Sequence, residues 1–296
     1  MANPLLKARL ARREFFPVPG VHDRLTAMLA REAGFDVTFA SGFWLAAANW
    51  GLPDVGLVTY SQMVERMEVL AQDPGVALIA DADTGYGDLL NVRHTVRGYE
   101  RAGVSAIQLE DQQFPKKTGS SQQKLCIEPE EMVRKIKVAL DTRQSDDFLI
   151  IARTDARSLY GEADALRRLE LYERAGADVL FYESVPSELE MRRACAALSS
   201  PLMVNMAHGG RTPILPSALL ADIGIALAIY PSLAGLAAVR AIKEAFIHLR
   251  GASGNSRQPG LEDFSSVLEL LGQSEIQAFE ARWSGAQIPK GVTPMK

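Results

Sequence analysis

A chain of 296 residues, 47% hydrophobic and 23% charged, can bury a large core, which excludes a disordered, collagen-like or coiled-coil protein. Against 36 Asp and Glu stand 32 Lys and Arg, a net charge of −4, so no cationic excess exists to neutralise nucleic acid or an anionic membrane surface. Two cysteines, Cys126 and Cys195, are too few for a disulfide framework, and no apolar stretch reaches membrane-spanning length free of charge, so the expected setting is the cytoplasm.

In chain order, a basic N-terminal stretch with Lys7, Arg9, Arg12 and Arg13 leads into short apolar runs alternating with longer helical patterns. Strands are predicted at Phe15–Val18, Val37–Ala40, Val76–Ala80, Ala106–Leu109, Phe148–Ala152, Val179–Tyr182, Leu202–Asn205 and Ala226–Ile229. Between and after them, helices are predicted at His22–Ala33, Tyr60–Ala71, Leu90–Ala102, Pro129–Thr142, Ala163–Ala175, Pro186–Leu198, Pro216–Ile223 and Leu233–Leu249. Such alternation demands a parallel sheet with helical crossovers, and eight strands are the number a closed barrel needs. An open doubly wound sheet alternates in the same way, but no Gly-x-Gly-x-x-Gly turn follows the first strand. The expected fold is therefore α/β, an eight-stranded (β/α)8 barrel over residues 1–250. A faint repeat agrees with it: Arg31-Glu-Ala-Gly34, Arg101-Ala-Gly103 and Arg174-Ala-Gly176 each end a helical pattern with a cation and a glycine cap just before a strand.

Beyond Leu249 the glycine- and serine-rich stretch 250–260 reads as a linker, and Leu261–Leu271 and Ser274–Trp283 read as two further helices. Residues 251–296 are thus expected to form an appended helical arm. Its Phe264, Leu268, Leu271, Phe279 and Trp283 need a surface to cover them, either a partner subunit or the chain's own barrel.

In such barrels chemistry gathers at the C-terminal ends of the strands. Asp81 and Asp83 follow the third strand and point the same way, and two carboxylates so close repel unless a cation or proton lies between them. Glu110 ends the neighbouring strand. The three acids make a hard oxygen site suited to Mg²⁺, with Mn²⁺ as an alternative. Ser41, Gly42 and Phe43 follow the second strand, where backbone amides could hold an anionic oxygen. Arg153 ends the fifth strand and suits a carboxylate or enolate oxygen, or else a structural ion pair with Asp155 or Glu183. Glu183 and Asn205 end the sixth and seventh strands, and His208 follows. The polar segment 115–124 reads as a cationic flap over an anionic substrate, or as a plain solvated loop.

Several motifs on this rim resemble the isocitrate lyase and phosphoenolpyruvate mutase superfamily. They are Gly51-Leu-Pro-Asp54, Asp81-Ala-Asp-Thr-Gly-Tyr-Gly87, Leu109-Glu-Asp-Gln112, Ile151-Ala-Arg-Thr-Asp-Ala156, Asn205-Met-Ala-His-Gly-Gly-Arg-Thr-Pro213 and Ala228-Ile-Tyr-Pro231. The resemblance implies a Mg²⁺-dependent enzyme for a small 2-oxo or 2-hydroxy carboxylate whose cleavage passes through an enolate. It also implies a homotetramer in which the C-terminal arm is exchanged within dimers. Carried over by motif, Asp81 and Asp83 are metal acids with Glu110 as their partner, and Asp54 lies beside the reacting centre. Arg153 stabilises the enolate, while Ser41, Gly42, Phe43, Glu183 and Asn205 contact substrate.

One departure bears on the reaction. Carbon–carbon lyases of this family carry a flap cysteine that protonates the departing carbanion, and here the stretch reads Lys116-Lys117-Thr118-Gly119-Ser120. A threonine hydroxyl is too weakly acidic to replace a thiol. Lys116, Thr118 and His208 are the remaining candidates around the leaving group, with water. Two reactions stay open, both from the enzyme class: carbon–carbon cleavage of an oxaloacetate-like or methylisocitrate-like acid, by decarboxylation or retro-aldol chemistry, and carbon–phosphorus chemistry on a phosphonopyruvate-like one, as in phosphonopyruvate hydrolases or carboxyphosphonoenolpyruvate phosphonomutase. A catalytically silent binding barrel would have no use for the full set of metal acids.

Overall fold

The computed structural model describes residues 2–117, 124–251 and 260–284. Eight parallel strands form a closed barrel in sequential order: β1 (Phe16–Val21), β2 (Val37–Ala40), β3 (Ala77–Asp81), β4 (Ala106–Glu110), β5 (Leu149–Thr154), β6 (Val179–Tyr182), β7 (Leu202–Asn205) and β8 (Leu227–Tyr230). Pairing of β8 with β1 closes the ring, with Phe16 opposite Leu227 and Pro19 opposite Tyr230. Helix α1 (Leu5–Ala11) precedes the barrel, and α2 (Arg24–Glu32), α3 (Gly42–Trp50), α4 (Tyr60–Leu70), α5 (Leu89–Arg101) and α6 (Pro129–Thr142) lie between strands. The series continues with α7 (Arg157–Tyr160), α8 (Glu162–Arg174), α9 (Glu188–Ala197), α10 (Ser217–Ile223) and, after β8, α11 (Leu233–Gly251).

Strand alternation divides the core in two. Ala77, Ile79, Leu149, Ile151, Val179, Phe181, Met203, Leu227 and Ile229 belong to one buried cluster, while Leu78, Ala80, Ile150, Ala152, Leu180, Tyr182, Leu202, Val204 and Ala228 belong to a second that includes helix residues such as Met67, Val96, Ile136 and Leu169. The first fills the barrel and the second joins barrel to helices, as period-two side chains require. Each large apolar side chain removed from water in this way contributes roughly 1.5–3 kcal/mol. Leu6 of α1 is fully buried in the inner cluster beside the starts of β1 and β8, so the N-terminal end of the barrel is packed.

The cap repeat read from the sequence is present. Gly34, Gly103 and Gly176 take φ of 88°, 90° and 100°, and the next residue's N–H closes back on the helix each time: Phe35 on Ala30 (3.1 Å), Val104 on Tyr99 (3.2 Å) and Ala177 on Tyr172 (3.2 Å). This six-residue closure satisfies helix carbonyls that would otherwise be orphaned, and turns the chain into the next strand.

By compactness the chain divides into Met1–Ala238 and Val239–Lys296. The second unit holds most of α11, then α12 (Phe264–Leu270) and α13 (Gln273–Ser284). Its Phe246, Ile247, Phe264, Phe279 and Trp283 are exposed in the single chain.

Candidate active site

The inward-facing rows that fill the barrel continue into the polar residues at its C-terminal mouth. Ala77 and Ile79 are followed two residues on by Asp81; Ala106 by Gln108 and Glu110; Leu149 and Ile151 by Arg153; Val179 and Phe181 by Glu183; Met203 by Asn205. Period two alone places these side chains on one lining. Strand register then brings Glu110 opposite Arg153 and Asp81 opposite Gln108.

Asp81 accepts from three donors: Asp83 N–H at 3.0 Å and Gln108 Nε2 at 3.3 Å on Oδ1, and Gly42 N–H at 3.3 Å on Oδ2. A Cβ at position 42 would stand 2.8 Å from Asp81 Oδ2, so only glycine lets the backbone come this close. Ser41 and Gly42 are buried and Phe43 is exposed. This stretch, read from the sequence as an anion-holding turn, is the N-terminus of α3, and its Gly42 amide is directed at the Asp81 carboxylate. Asp83 adopts φ of 51°, a left-handed conformation uncommon outside glycine and tolerated by Asp and Asn.

The cation that two adjacent carboxylates require is supplied here by Lys116. Its ammonium contacts Asp83 Oδ1 and lies 2.9 Å from Asp54 Oδ1, and the side chain is buried. Burial would weaken its hold on a proton, but Asp83, Asp81, Asp54 and Glu110 raise that hold well above the ordinary lysine value. Asp83 is raised to about 7 by burial, assisted by Asp81 and Asp54 and opposed by Lys116. Glu110 is raised to about 8, again by burial, with Arg153 and Lys116 opposing. Glu110 also accepts from Gln112 Nε2 at 2.9 Å.

Arg153, on the strand next to Glu110, forms the adjoining wall. Its Nε donates to Asp155 Oδ2 at 2.9 Å and Nη2 to Oδ1 at 3.0 Å, a bidentate clamp. Glu110 lies 3.5 Å and Glu183 3.8 Å from the guanidinium, which also stacks over the Phe181 ring at 5.2 Å. Glu183 in turn accepts from Asn205 Nδ2 and Ser184 Oγ, both at 3.3 Å. His208 is exposed in the turn after β7 and is not joined to the acids. Thr118 lies outside the described residues. Cys126 pairs with Gln112 through a backbone bridge, and burial with Asp111 and Asp155 nearby pushes its thiol far up, so it is no source of thiolate.

Behind this wall stands a residue that the sequence reading did not assign. Asp111 is fully buried and accepts from Thr154 Oγ1 (2.7 Å), Tyr172 Oη (2.8 Å), Asp155 N–H (2.9 Å) and Arg168 Nη1 (3.2 Å). Removing it strands Thr154, Tyr172 and the Asp155 N–H, and takes a carboxylate from Arg168, which keeps Ile127 O and Asp164. Asp111→Ala is expected to lower the unfolding free energy by about 3–5 kcal/mol in chemical denaturation. A loss below about 1 kcal/mol would show that the donors find other partners.

The structure is that of a known group of enzymes. The family described as phosphoenolpyruvate phosphomutase matches residues 6–250. The chain belongs to this family. It is 40% identical over 283 residues to the 2,3-dimethylmalate lyase of Eubacterium barkeri, covering 94% of this chain and 97% of that one. Among solved structures, oxaloacetate acetylhydrolase in complex with the inhibitor 3,3-difluorooxalacetate matches with a TM-score of 0.88 at 31% identity, over 96% of this chain and 98% of that one. A phosphonopyruvate hydrolase complex with oxalate and Mg²⁺ matches with a TM-score of 0.85 at 34% identity, over 96% and 99%. The chain is thus an enzyme of the isocitrate lyase and PEP mutase superfamily, similar to carbon–carbon lyases such as the 2,3-dimethylmalate lyase above.

Among the described residues, no group of three His, Cys, Asp or Glu stands in metal-ligating geometry, because Lys116 is drawn in among the acids. The donor chemistry nevertheless fits a hard divalent cation. Asp54, Asp81, Asp83 and Glu110 offer only oxygen, and burial raises the proton affinity of Asp83 and Glu110 even with Lys116 and Arg153 nearby. The four carboxylates outnumber the two cations that contact them, Lys116 and Arg153.

Proposed function

We propose that this lyase cleaves the C2–C3 bond of a small 2-hydroxy or 2-oxo dicarboxylate of the malate, methylisocitrate or oxaloacetate type, with Mg²⁺, or Mn²⁺ in its place, on Asp81, Asp83 and Glu110. The observation that carries the reading is the juxtaposition, at one barrel mouth, of a buried carboxylate cluster on adjacent strands and a clamped arginine on the next strand. Mg²⁺ at the acids supplies positive charge for the substrate's carboxylate and 2-oxygen. Arg153 faces the negative charge that develops during cleavage, and its clamp on Asp155 fixes it before reaction, which is the condition for electrostatic stabilisation. Asp54 lines a small recess with Gly42 and Asp83, beside the reacting centre. For a 2-hydroxy acid, or a 2-oxo acid hydrated at C2 by water, Asp54 takes the hydroxyl proton and the C2–C3 electron pair passes to C3 and its carboxylate as an enolate. A 2-oxo acid is left from the first and oxalate from the second, and C3 receives a proton from Lys116, His208 or water. Ser41, Gly42, Phe43, Glu183 and Asn205 are the proposed substrate contacts, and Thr118 the proposed neighbour of the leaving group.

A second reading, carbon–phosphorus cleavage of phosphonopyruvate, is favoured by Lys116-Lys117-Thr118. One assay separates the two. 2,3-Dimethylmalate, 2-methylisocitrate, oxaloacetate and phosphonopyruvate are each incubated with enzyme and Mg²⁺, and again with chelator. Release of a 2-oxo acid or oxalate from one of the first three, abolished by chelator, is the expected result. Phosphate release from phosphonopyruvate alone overturns the carbon–carbon reading for this chain, and turnover in chelator overturns the metal-assisted mechanism.

The proposed assembly is a homotetramer, a dimer of arm-swapped dimers. Exposed Phe264, Phe279 and Trp283 on the arm support it. No helix among the described residues is long and apolar enough to cross a membrane. The two free cysteines support a cytoplasmic setting.

A further inference from the structure

We propose that Lys124 sets how much of the Arg153 charge reaches an anionic substrate, acting through Asp155 as the residue that positions the arginine. The inference rests on the proposed function, in which Arg153 faces a carboxylate substrate. Arg153 alone is poorly placed to attract an anion, because Asp155, Glu110 and Glu183 all lie within 3.8 Å of its guanidinium. The pair Arg153–Asp155 is neutral as a unit. Lys124 changes that balance. Its ammonium contacts Asp155 Oδ1, the same oxygen that accepts from Arg153 Nη2 at 3.0 Å, so the trio carries one net positive charge. Both side chains are sealed from solvent, Lys124 at 5% and Asp155 at 0% exposure, so water screens the trio little.

Asp155 cannot swing away to relieve the arrangement. Its N–H is fixed on Asp111 Oδ1 at 2.9 Å, and its two carboxylate oxygens are each engaged by Arg153. Burial opposes ionisation of Asp155, yet Arg153 and Lys124 hold it below the ordinary carboxylate range, so it stays anionic and the two cations stay charged. A lysine placed only to neutralise a buried carboxylate would be redundant here, since the bidentate arginine already does so.

The test reads charge separately from structure. Oxalate, a small dianion, is titrated into the full-length enzyme at saturating Mg²⁺ by calorimetry. Lys124→Met is expected to weaken oxalate binding about tenfold or more, as loss of a nearby, poorly screened unit charge requires, while Mg²⁺ affinity without oxalate stays the same. Lys124→Arg restores the affinity. The double variant Lys124→Met with Asp155→Asn returns the trio to its original net charge, and is expected to bind oxalate more tightly than Lys124→Met alone. A purely structural lysine predicts the reverse, because the double variant carries two buried lesions. If Lys124→Met fails to fold, the double variant is read against the unaltered enzyme, since both trios carry one net positive charge: similar oxalate affinity is expected, and a tenfold loss overturns the inference. Equal oxalate affinity in Lys124→Met and the unaltered enzyme also overturns it. Failure of the unaltered enzyme to bind oxalate with Mg²⁺ overturns the proposed function itself, which keeps the two failures distinct.

Discussion

Replacing Arg153 with alanine is expected to lower kcat by about a thousandfold or more on whichever substrate the assay above identifies, since removing one preorganised donor to developing charge typically costs 10²–10³. Arg153 exceeds a single donor, because it is a full charge held at two points by Asp155 and stacked on Phe181. Arg153→Lys keeps the charge but has no planar fork for Asp155, so it recovers only a small part of the loss. Stability must be measured beside activity. Alanine leaves Asp155 with Lys124 but strips Glu110 and Glu183 of their nearest cation, and breaking buried pairs in this way costs on the order of 3–5 kcal/mol. The decisive comparison is therefore kcat of folded Arg153→Ala, confirmed by denaturation, against the unaltered enzyme. Activity within tenfold would remove Arg153 from the chemistry and leave it as a structural ion pair.

The arginine was legible in the sequence because of where it stands, two residues beyond Ile151 on an inward row. The same is true of Asp81, Glu110, Glu183 and Asn205. Buried parallel strands are short continuous apolar runs, and the first charged residue after each run marks the barrel mouth. Three helices were not legible. Helix α1 is seven residues long with Lys7 and Arg9 among them, and Leu6 is its single buried residue. Helix α3 begins with glycine and is apolar on more than one face, so it shows no helical period. Helix α7 is a single turn.

Side-chain reach was also out of view. That Lys116 reaches Asp83 and Asp54, or Lys124 reaches Asp155, is a contact between residues far apart in sequence, which no local pattern encodes. Asp111 was hidden for a different reason. It follows Glu110 directly and so faces the opposite way, toward α8, where its partners Arg168 and Tyr172 lie more than fifty residues downstream. Gln108 could have been found, because a polar residue between Ala106 and Glu110 on an inward row must have a polar partner, and Asp81 is that partner.

Asp83→Asn is expected to weaken Mg²⁺ binding about a hundredfold or more, beyond the ~10–100-fold typical of residues that only support a metal ligand, without lowering the unfolding midpoint of the metal-free protein. Asparagine is the informative replacement because the backbone at position 83 has φ of 51°, which asparagine tolerates better than alanine. The charge is removed and the shape is kept. Stability is expected to hold because ionised Asp83 is opposed on most sides. Burial, Asp81 and Asp54 all resist its ionisation, and only Lys116 favours it. Lys116 keeps Asp54 at 2.9 Å when Asp83 is neutral, so no buried ammonium is left alone. Calorimetric Mg²⁺ titration and thermal unfolding in chelator check the two halves independently. Unchanged Mg²⁺ affinity would mean that Lys116 is the permanent counter-charge of Asp83 and that any metal binds elsewhere on the rim. A hundredfold loss with the fold intact would mean that the ammonium yields its place to the cation, and that the carboxylate cluster is held together by whichever positive charge is present.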